Sequence, residues 1–413
     1  MHSTLAGFIS GTPAGDEAAA ILQKCVHCGF CNATCPTYRL LGDELDGPRG
    51  RIYQIKEMLE GAAPAASVLQ HLDRCLTCRA CETTCPSGVE YGKLLDTGRE
   101  IAEERVGRGW WARWQRRVLR WLFPYPRRIA PLLRLGMHLR GLMPAFLAAH
   151  VPPTPAPAGA WPEPRHPRRM IALAGCVQSV VTPATTAAAA RVLDRGGISL
   201  EVANGAGCCG ALSHHLAARE EGLDFARRNI DVWIPLLDAG AETIVACASG
   251  CGVHLRDYGR LLETDAAYAE KAARVAGVVR DLCEVVPAPA AEMPGPRLRV
   301  AVHTPCTLQH GQRLGGKVET LLRSLGCDLT PVEEPGMCCG SAGSYSLLQP
   351  GISTRLGDAR AAALQAGNPD LVVTANVGCQ LHLGARCAVP VRHWIEVLDE
   401  ATRAVGEPPA SGS

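Results

Sequence analysis

The sequence predicts an α+β chain: an N-terminal, mainly helical domain followed by two repeated α/β modules with parallel, Rossmann-like sheets. Three observations predict it. Two cysteine runs of the same form, C-x2-C-x2-C-x3-C-P, stand 50 residues apart near the N-terminus. Beyond residue 168, strand-like and helix-like patterns alternate, as they do in parallel sheets under helical cover. Each half of that region also carries a Cys-Cys-Gly triplet, 32 positions after a cysteine that ends a strand. The expected organisation is a cysteine-rich helical domain at 15–100, a basic segment and linker at 101–168, and two copies of one module at 169–286 and 297–403.

Length and composition set the frame. The 413 residues suit two or three domains of about 150 residues each. Twenty cysteines leave three chemistries open: disulfides, zinc or iron–sulfur clusters. The opening stretch, "MHSTLAGFISGTPAGDEAAA", lacks the basic region and long apolar core of a signal peptide. No uncharged apolar run reaches the roughly 18–20 residues of a membrane-spanning helix. A reducing compartment, where thiols stay free for metals, is therefore expected.

The first domain rests on "CVHCGFCNATCP" (Cys25, Cys28, Cys31, Cys35) and "CLTCRACETTCP" (Cys75, Cys78, Cys81, Cys85). This is the run of two-cluster bacterial ferredoxins. Three cysteines at this spacing wrap a loop around one face of a cubane. The fourth does not easily reach the same cluster, and the proline after it turns the chain away. One 4Fe–4S cluster is therefore expected on Cys25, Cys28, Cys31 and Cys85, and a second on Cys75, Cys78, Cys81 and Cys35. Zinc takes four thiolates in two pairs and leaves the rest of each run unexplained. Between the runs an amphipathic helix is predicted from about Arg51 to Leu59. Arg49 and Arg51 either hold a partner, tune a cluster or cap the loop with salt bridges.

Residues 105–140 contain ten arginines, no Asp or Glu, and four of the seven tryptophans: Trp110, Trp111, Trp114 and Trp121. Pro124, Pro126 and Pro131 are expected to break the stretch into short helices. Arginine interleaved with tryptophan suits peripheral contact with an anionic membrane surface. It equally suits a helical hairpin packed on the next domain or on a partner subunit. No recognised nucleic-acid module accompanies it, so no nucleic-acid partner is expected. The Pro/Ala-rich residues 144–168 read as an extended linker.

The repeat is then laid out. "MIALAGC" and "RVAVHTPC" read as strands ending at Cys176 and Cys306, and each leads into a helix that closes on glycine. Second strands, "ISLEVA" and "CDLTPVE", precede Cys208-Cys209-Gly210 and Cys338-Cys339-Gly340. Third strands end near Cys251 and Cys379. Ligands gather beyond the carboxyl ends of parallel strands, so four thiols are expected to converge in each module. The glycine after each pair supplies the backbone freedom for that turn. Soft thiolates select zinc, Cu(I) or iron–sulfur clusters, and four cysteines alone do not separate the last from zinc. One or two further iron–sulfur centres, or zinc, are expected. Cys247 reads as a fifth ligand or a buried strand-end thiol, and Cys283, Cys327 and Cys387 as small hydrophobic fillers. His214, His215, His254, His303 and His382 read as satisfied core histidines or as proton-handling groups at a quinone site. No dinucleotide fingerprint or nucleophile–base pair is evident, so no catalytic residue is expected on this chain.

With these motifs in place, the chain resembles the iron–sulfur subunits of flavoprotein 2-hydroxyacid dehydrogenases. The stretches "CVHCGFCNATCPTYRLLGDELDGPRGRIY", "HLDRCLTCRACETTCPSG", "CTLQHGQRL", "VTANVGCQLHL" and "VRHWIE" are similar to the glycolate oxidase iron–sulfur subunit family. The resemblance implies a membrane-associated complex whose flavin-binding dehydrogenase subunits oxidise glycolate to glyoxylate. This chain would carry the electrons toward quinone or another membrane acceptor, from the cytoplasmic face of the inner membrane. Related lactate or glycerol-3-phosphate dehydrogenases and heterodisulfide-reductase-like catalytic subunits share the motifs. In the last of these each module has a closely spaced pair of late cysteines, a pattern from which Cys251 and Cys379 depart.

Overall fold

The computed structural model describes residues 1–142, 155–288 and 297–406. The N-terminal domain is helical. Its core is built by helices Pro13–Lys24, Pro48–Leu59, Ala66–Asp73 and Tyr91–Val106, which bury Leu22, Ile55, Leu59, Leu72, Leu94 and Leu95 among them. The helix after the first run starts at Pro48 rather than Arg51, because proline fits a first helical turn whose N–H groups are unpaired in any case.

Each module holds four parallel strands. In the first these are β1 (Arg168–Leu173), β2 (Ile198–Val202), β3 (Thr243–Ala246) and β4 (Val279–Asp281), in the order β2-β1-β3-β4. In the second they are β5 (Arg299–His303), β6 (Asp328–Leu329), β7 (Leu371–Thr374) and β8 (Val391–His393), in the order β6-β5-β7-β8. The fourth strand of each module is an addition to the three that the pattern predicts. At three residues each, β4 and β8 are too short to show an alternation. The expected strand "CDLTPVE" shrinks to two residues.

The modules share a core. Val192 and Leu193 of the first meet Val300, Leu321, Leu322 and Trp394 of the second in one apolar cluster. Helix Pro183–Arg195 packs on Trp394–Gly406, and both Arg191 and Arg195 reach the buried Asp399 at 2.7 Å. Cys247 lies in this shared core rather than among the other thiols, and its carbonyl lies 3.0 Å from His393 Nε2.

The basic segment forms helices Trp110–Leu122 and Pro126–Leu139. Pro131 lies inside the second helix instead of ending it. Of the Pro/Ala-rich linker, residues 144–154 lie outside the described residues. Its remainder runs beside β2, where Trp161 Nε1 donates to Leu200 O at 3.1 Å. No helix among the described residues is long and apolar enough to cross a membrane.

Candidate metal centres

Two cavities lie under the cysteine runs. One, with about 300 Å3 of empty space, is lined by Cys35, Cys75, Cys78 and Cys81 together with Arg51 and Tyr91. The other, with about 440 Å3, is lined by Cys25, Cys28, Cys31 and Cys85, and Cys81 also reaches its wall. The fourth cysteine of each run therefore faces the other run's cavity. The loops are built alike. His27 and Gly29 in the first, and Thr77 and Arg79 in the second, have positive φ between 54° and 84°. Alternating left-handed residues turn successive amides to one side and favour anions there. Backbone N–H groups approach sulfur, Thr77 N at 3.4 Å from Cys75 Sγ and Val89 N at 3.5 Å from Cys85 Sγ. Arg79 takes a conformation that suits glycine, and it is held there by Asp257 of the first module at 3.1 Å.

The Cys-Cys-Gly turns sit at the carboxyl ends of the sheets. Cys176 follows β1, Cys208 and Cys209 follow β2, and Cys251 lies in the first turn of helix Ser249–Arg256 after β3. Cys306, Cys338, Cys339 and Cys379 repeat the pattern, and Cys306 Sγ is 3.9 Å from Cys338 Sγ. Gly210 and Gly340 have φ of +90° and +85°. A Cβ on either would stand 2.6 Å from the Gly222 carbonyl oxygen or 2.7 Å from that of Ser353. Close approach and backbone conformation thus both demand glycine after each pair. The amides of the two glycines point at the first thiol of each pair, 3.4 Å from Cys208 Sγ and 3.5 Å from Cys338 Sγ.

The thiols crowd one another. Burial, followed by Cys25, pushes the Cys31 thiol up to about 11. Contact with Cys208 and then burial push Cys176 well up, and Cys338 and burial do the same to Cys306. Neighbouring buried thiolates repel, so the groups ionise together only when a cationic centre compensates them. All 20 cysteines are free thiols. This donor chemistry, soft, buried and met by N–H groups, fits iron–sulfur clusters.

Comparison with known proteins agrees. Residues 21–89 match the 4Fe-4S dicluster domain, and residues 171–256 and 300–384 each match the cysteine-rich domain. The glycolate oxidase iron–sulfur subunit of Escherichia coli (strain K12) is 50% identical over 388 residues, covering 93% of this chain and 95% of that relative. The chain belongs to the glycolate oxidase iron–sulfur subunit family. A probable glycolate oxidase iron–sulfur subunit of Bacillus subtilis (strain 168) is 30% identical over 398 residues, 88% of each chain. A hypothetical protein from Helicobacter pylori shares the fold, with a TM-score of 0.54 at 12% identity over 96% of this chain and 73% of that one.

In this iron–sulfur subunit the four cysteine groups are not evenly spread. The cavity of the second run abuts the second module, where Leu76, Cys78, Cys306, Cys338, Tyr345 and Leu356 share one apolar cluster. The cavity of the first run is nearer the surface, with Cys28 exposed beside exposed Val26 and Phe30. Arg49 pairs with Glu44 at 2.6 Å. Arg51 is fully buried and donates to His71 O at 2.8 Å and toward Asp46 at 3.4 Å. It both caps the loop network and puts a cation on the cavity wall.

Sequence reasoning missed Asp96. Its carboxylate lies 3.4 Å from His214 Nε2 and 3.6 Å from His215 Nδ1, and the centroid of the buried His254 ring lies 5.4 Å from that of His214, the two rings tilted by 48°. No sequence signal pairs Asp96 with His214, 118 positions away. In the second module His303, Cys339 and Cys379 place their donor atoms within 4.8 Å of one another.

The basic segment is held by its arginines and leaves its tryptophans out. Arg108 and Arg116 pair with Asp73 at 2.5 and 3.0 Å, and Arg120 pairs with Glu221 at 2.6 Å. Trp110, Trp111, Trp114 and Trp121 are 71%, 51%, 50% and 56% exposed, and helix Trp110–Leu122 buries no residue. Leu132, Leu135 and Leu139 extend an exposed apolar face along the next helix.

Proposed function

We propose that this chain is the electron-transferring subunit of a membrane-associated complex that oxidises glycolate to glyoxylate. A flavin-binding partner subunit removes two electrons and two protons from the hydroxy acid. This chain accepts the electrons singly and delivers them to a quinone, which becomes quinol on taking two electrons and two protons. Iron–sulfur clusters supply one-electron storage in this scheme. In the N-terminal domain, Cys25, Cys28, Cys31 and Cys85 hold one 4Fe–4S cluster, and Cys75, Cys78, Cys81 and Cys35 the other. Cys176, Cys208, Cys209 and Cys251 hold the centre of the first module, and Cys306, Cys338, Cys339 and Cys379 that of the second.

The observation that carries this reading is the contact between two of the thiol groups. The second run's cavity and the second module's thiols meet in one apolar cluster, which keeps these two centres close. The Trp/Leu face of residues 110–139 is the membrane contact in this reading, on the cytoplasmic side of the inner membrane. It is exposed, and indoles prefer the membrane interface while free arginines meet anionic headgroups.

The test is to purify the complex anaerobically with its flavin partner and offer glycolate, lactate and glycerol 3-phosphate separately. Glycolate is expected to reduce the EPR-visible clusters and an added quinone. Reduction by lactate or glycerol 3-phosphate alone would replace glycolate as the donor. For the membrane face, a chain with Trp110, Trp111, Trp114 and Trp121 all changed to serine is expected to lose most of its cosedimentation with phosphatidylglycerol-containing vesicles. Unchanged cosedimentation sinks the membrane contact and leaves a partner subunit as the occupant.

A further inference from the structure

The two modules are built alike but differ beside their thiols. His303 ends β5, where it pairs with Thr374 of β7; Leu173 ends β1 in the same register, opposite Ala246 of β3. A second difference lies on the helix over each Cys-Cys-Gly turn. A Cβ on Gly210 would touch Gly222 and Phe225, and one on Gly340 would touch Ser353 and Leu356. Counted from these contacts, Arg360 of the second module stands where the first has Asn229. Both residues pin the cysteine loop. Asn229 donates to Cys208 O at 2.9 Å. Arg360 donates to Glu333 O, Glu334 O and Pro335 O at 2.9, 2.8 and 3.2 Å.

Arg360 does one thing that Asn229 does not. Its Nε lies 3.2 Å from His303 Nδ1. A guanidinium nitrogen only donates, so Nδ1 must accept, and a neutral imidazole then carries its proton on Nε2. That Nε2 is buried and has no hydrogen-bond partner within the protein. The sulfurs of Cys339 and Cys379 lie within 4.8 Å of a His303 ring nitrogen and of each other. With Nδ1 taken by Arg360, Nε2–H is the donor left beside these two sulfurs, and a buried cation stands behind the ring. At the same place the first module has only the Leu173 side chain.

We propose that Arg360 fixes the His303 tautomer so that Nε2–H donates to the sulfur ligands of the second module's centre, giving that centre a higher reduction potential than its counterpart. The proposal rests on the reading of Cys306, Cys338, Cys339 and Cys379 as ligands of a redox centre. Hydrogen bonds to ligand sulfur stabilise the reduced, more negative state and raise the potential. Since the second run's cavity abuts this module, its centre draws electrons from that cluster in preference to the first module's centre. Both residues are positioning residues.

The experiment is an anaerobic redox titration followed by EPR on the full complex, with wild type, His303→Leu, His303→Gln and Arg360→Gln. One signal is expected to move to lower potential in His303→Leu, on the order of a tenfold change in the one-electron equilibrium, or about 59 mV. His303→Gln keeps an N–H donor and is expected to recover part of the shift. Arg360→Gln is expected to move the same signal downward. The ferredoxin-domain signals serve as the folding control and stay in place. A weak nitrogen coupling to that signal, present in wild type labelled with 15N-histidine, is expected to vanish in His303→Leu. Iron retained with an unmoved potential and unchanged coupling overturns the proposal alone. Zinc, or no metal, in the wild-type second module overturns the underlying reading and the proposal with it.

Discussion

Tyr345 of the second module donates its hydroxyl to the backbone carbonyl of Arg74 across 2.9 Å. Arg74 immediately precedes Cys75, and Tyr345 follows the Cys338-Cys339 turn, so one hydrogen bond joins two thiol loops from different domains. Tyr345→Phe is expected to cost about 1 kcal/mol of unfolding free energy, read from denaturant titration, while iron content stays the same. Magnetic coupling between the second ferredoxin-domain cluster and the second module's centre should weaken. An unchanged EPR linewidth would mean that the bond does not hold the two centres in register.

The exchange of fourth cysteines has a selective consequence. Cys85→Ser is expected to damage the cluster of Cys25, Cys28 and Cys31, because Cys85 lines that cavity. Cys35→Ser should damage the cluster of Cys75, Cys78 and Cys81. EPR of each variant reads which signal is altered. Loss of the signal belonging to the mutated run itself would reverse the assignment.

Gly340→Ala places a methyl 2.7 Å from the Ser353 carbonyl oxygen at a φ of +85°. The strain is on the order of 1–3 kcal/mol, and it falls on the turn that presents Cys338 and Cys339. Metal analysis should show a deficit confined to the second module. Gly210→Ala is expected to give the same deficit in the first. Full metal loading in both variants would show that the turns tolerate a side chain.

Acid should loosen the basic helix. Burial pushes the Asp73 carboxyl up, but Arg108 and Arg116 outweigh it and hold the group below its ordinary value. A carboxyl lowered in the folded state contributes stability above its unfolded value, near pH 4, and loses it as pH falls through the depressed native value. Tryptophan fluorescence, to which this segment contributes four of the seven tryptophans, is expected to change below about pH 4. Asp73→Asn should show the loosened signal already at neutral pH. If wild type and variant titrate identically, Asp73 is not the anchor.

Arg51→Met removes a buried cation facing the buried Asp46. Uncompensated burial of one partner costs about 3–5 kcal/mol, though His71 and Arg74 still reach Asp46 at 2.9 and 2.7 Å and should hold the loss to the lower end. Calorimetry checks the stability. The potential of the second ferredoxin-domain cluster is expected to fall, since Arg51 lines its cavity, and an unmoved potential would reduce Arg51 to a loop cap.

Much of this was legible in the residues because cluster ligation is largely local. The spacing of Cys25, Cys28 and Cys31 is imposed by one short loop, and Gly210 and Gly340 report the backbone of their own turns. The strands that lead to Cys176 and Cys306 are long enough to show a buried run. β4 and β8 are not, and their burial comes from β3 and β7 beside them. Pro131 stands inside a helix that its residue type alone would end. The pairing of Asp96 with His214 and His215 depended on a helix far away in the chain, and His303 looked like any other histidine until Arg360 stood behind it.

The sequence by itself determined the thiol groups, the repeat and the parallel-sheet modules, since each follows from bonds and periodicities within a few tens of residues. Only the tertiary structure decided which module the second ferredoxin-domain cavity faces, which cysteine stays in the core, and which way the basic helix turns its tryptophans. Those relationships are made by packing and by ion pairs such as Arg120–Glu221, between residues with no fixed separation along the chain.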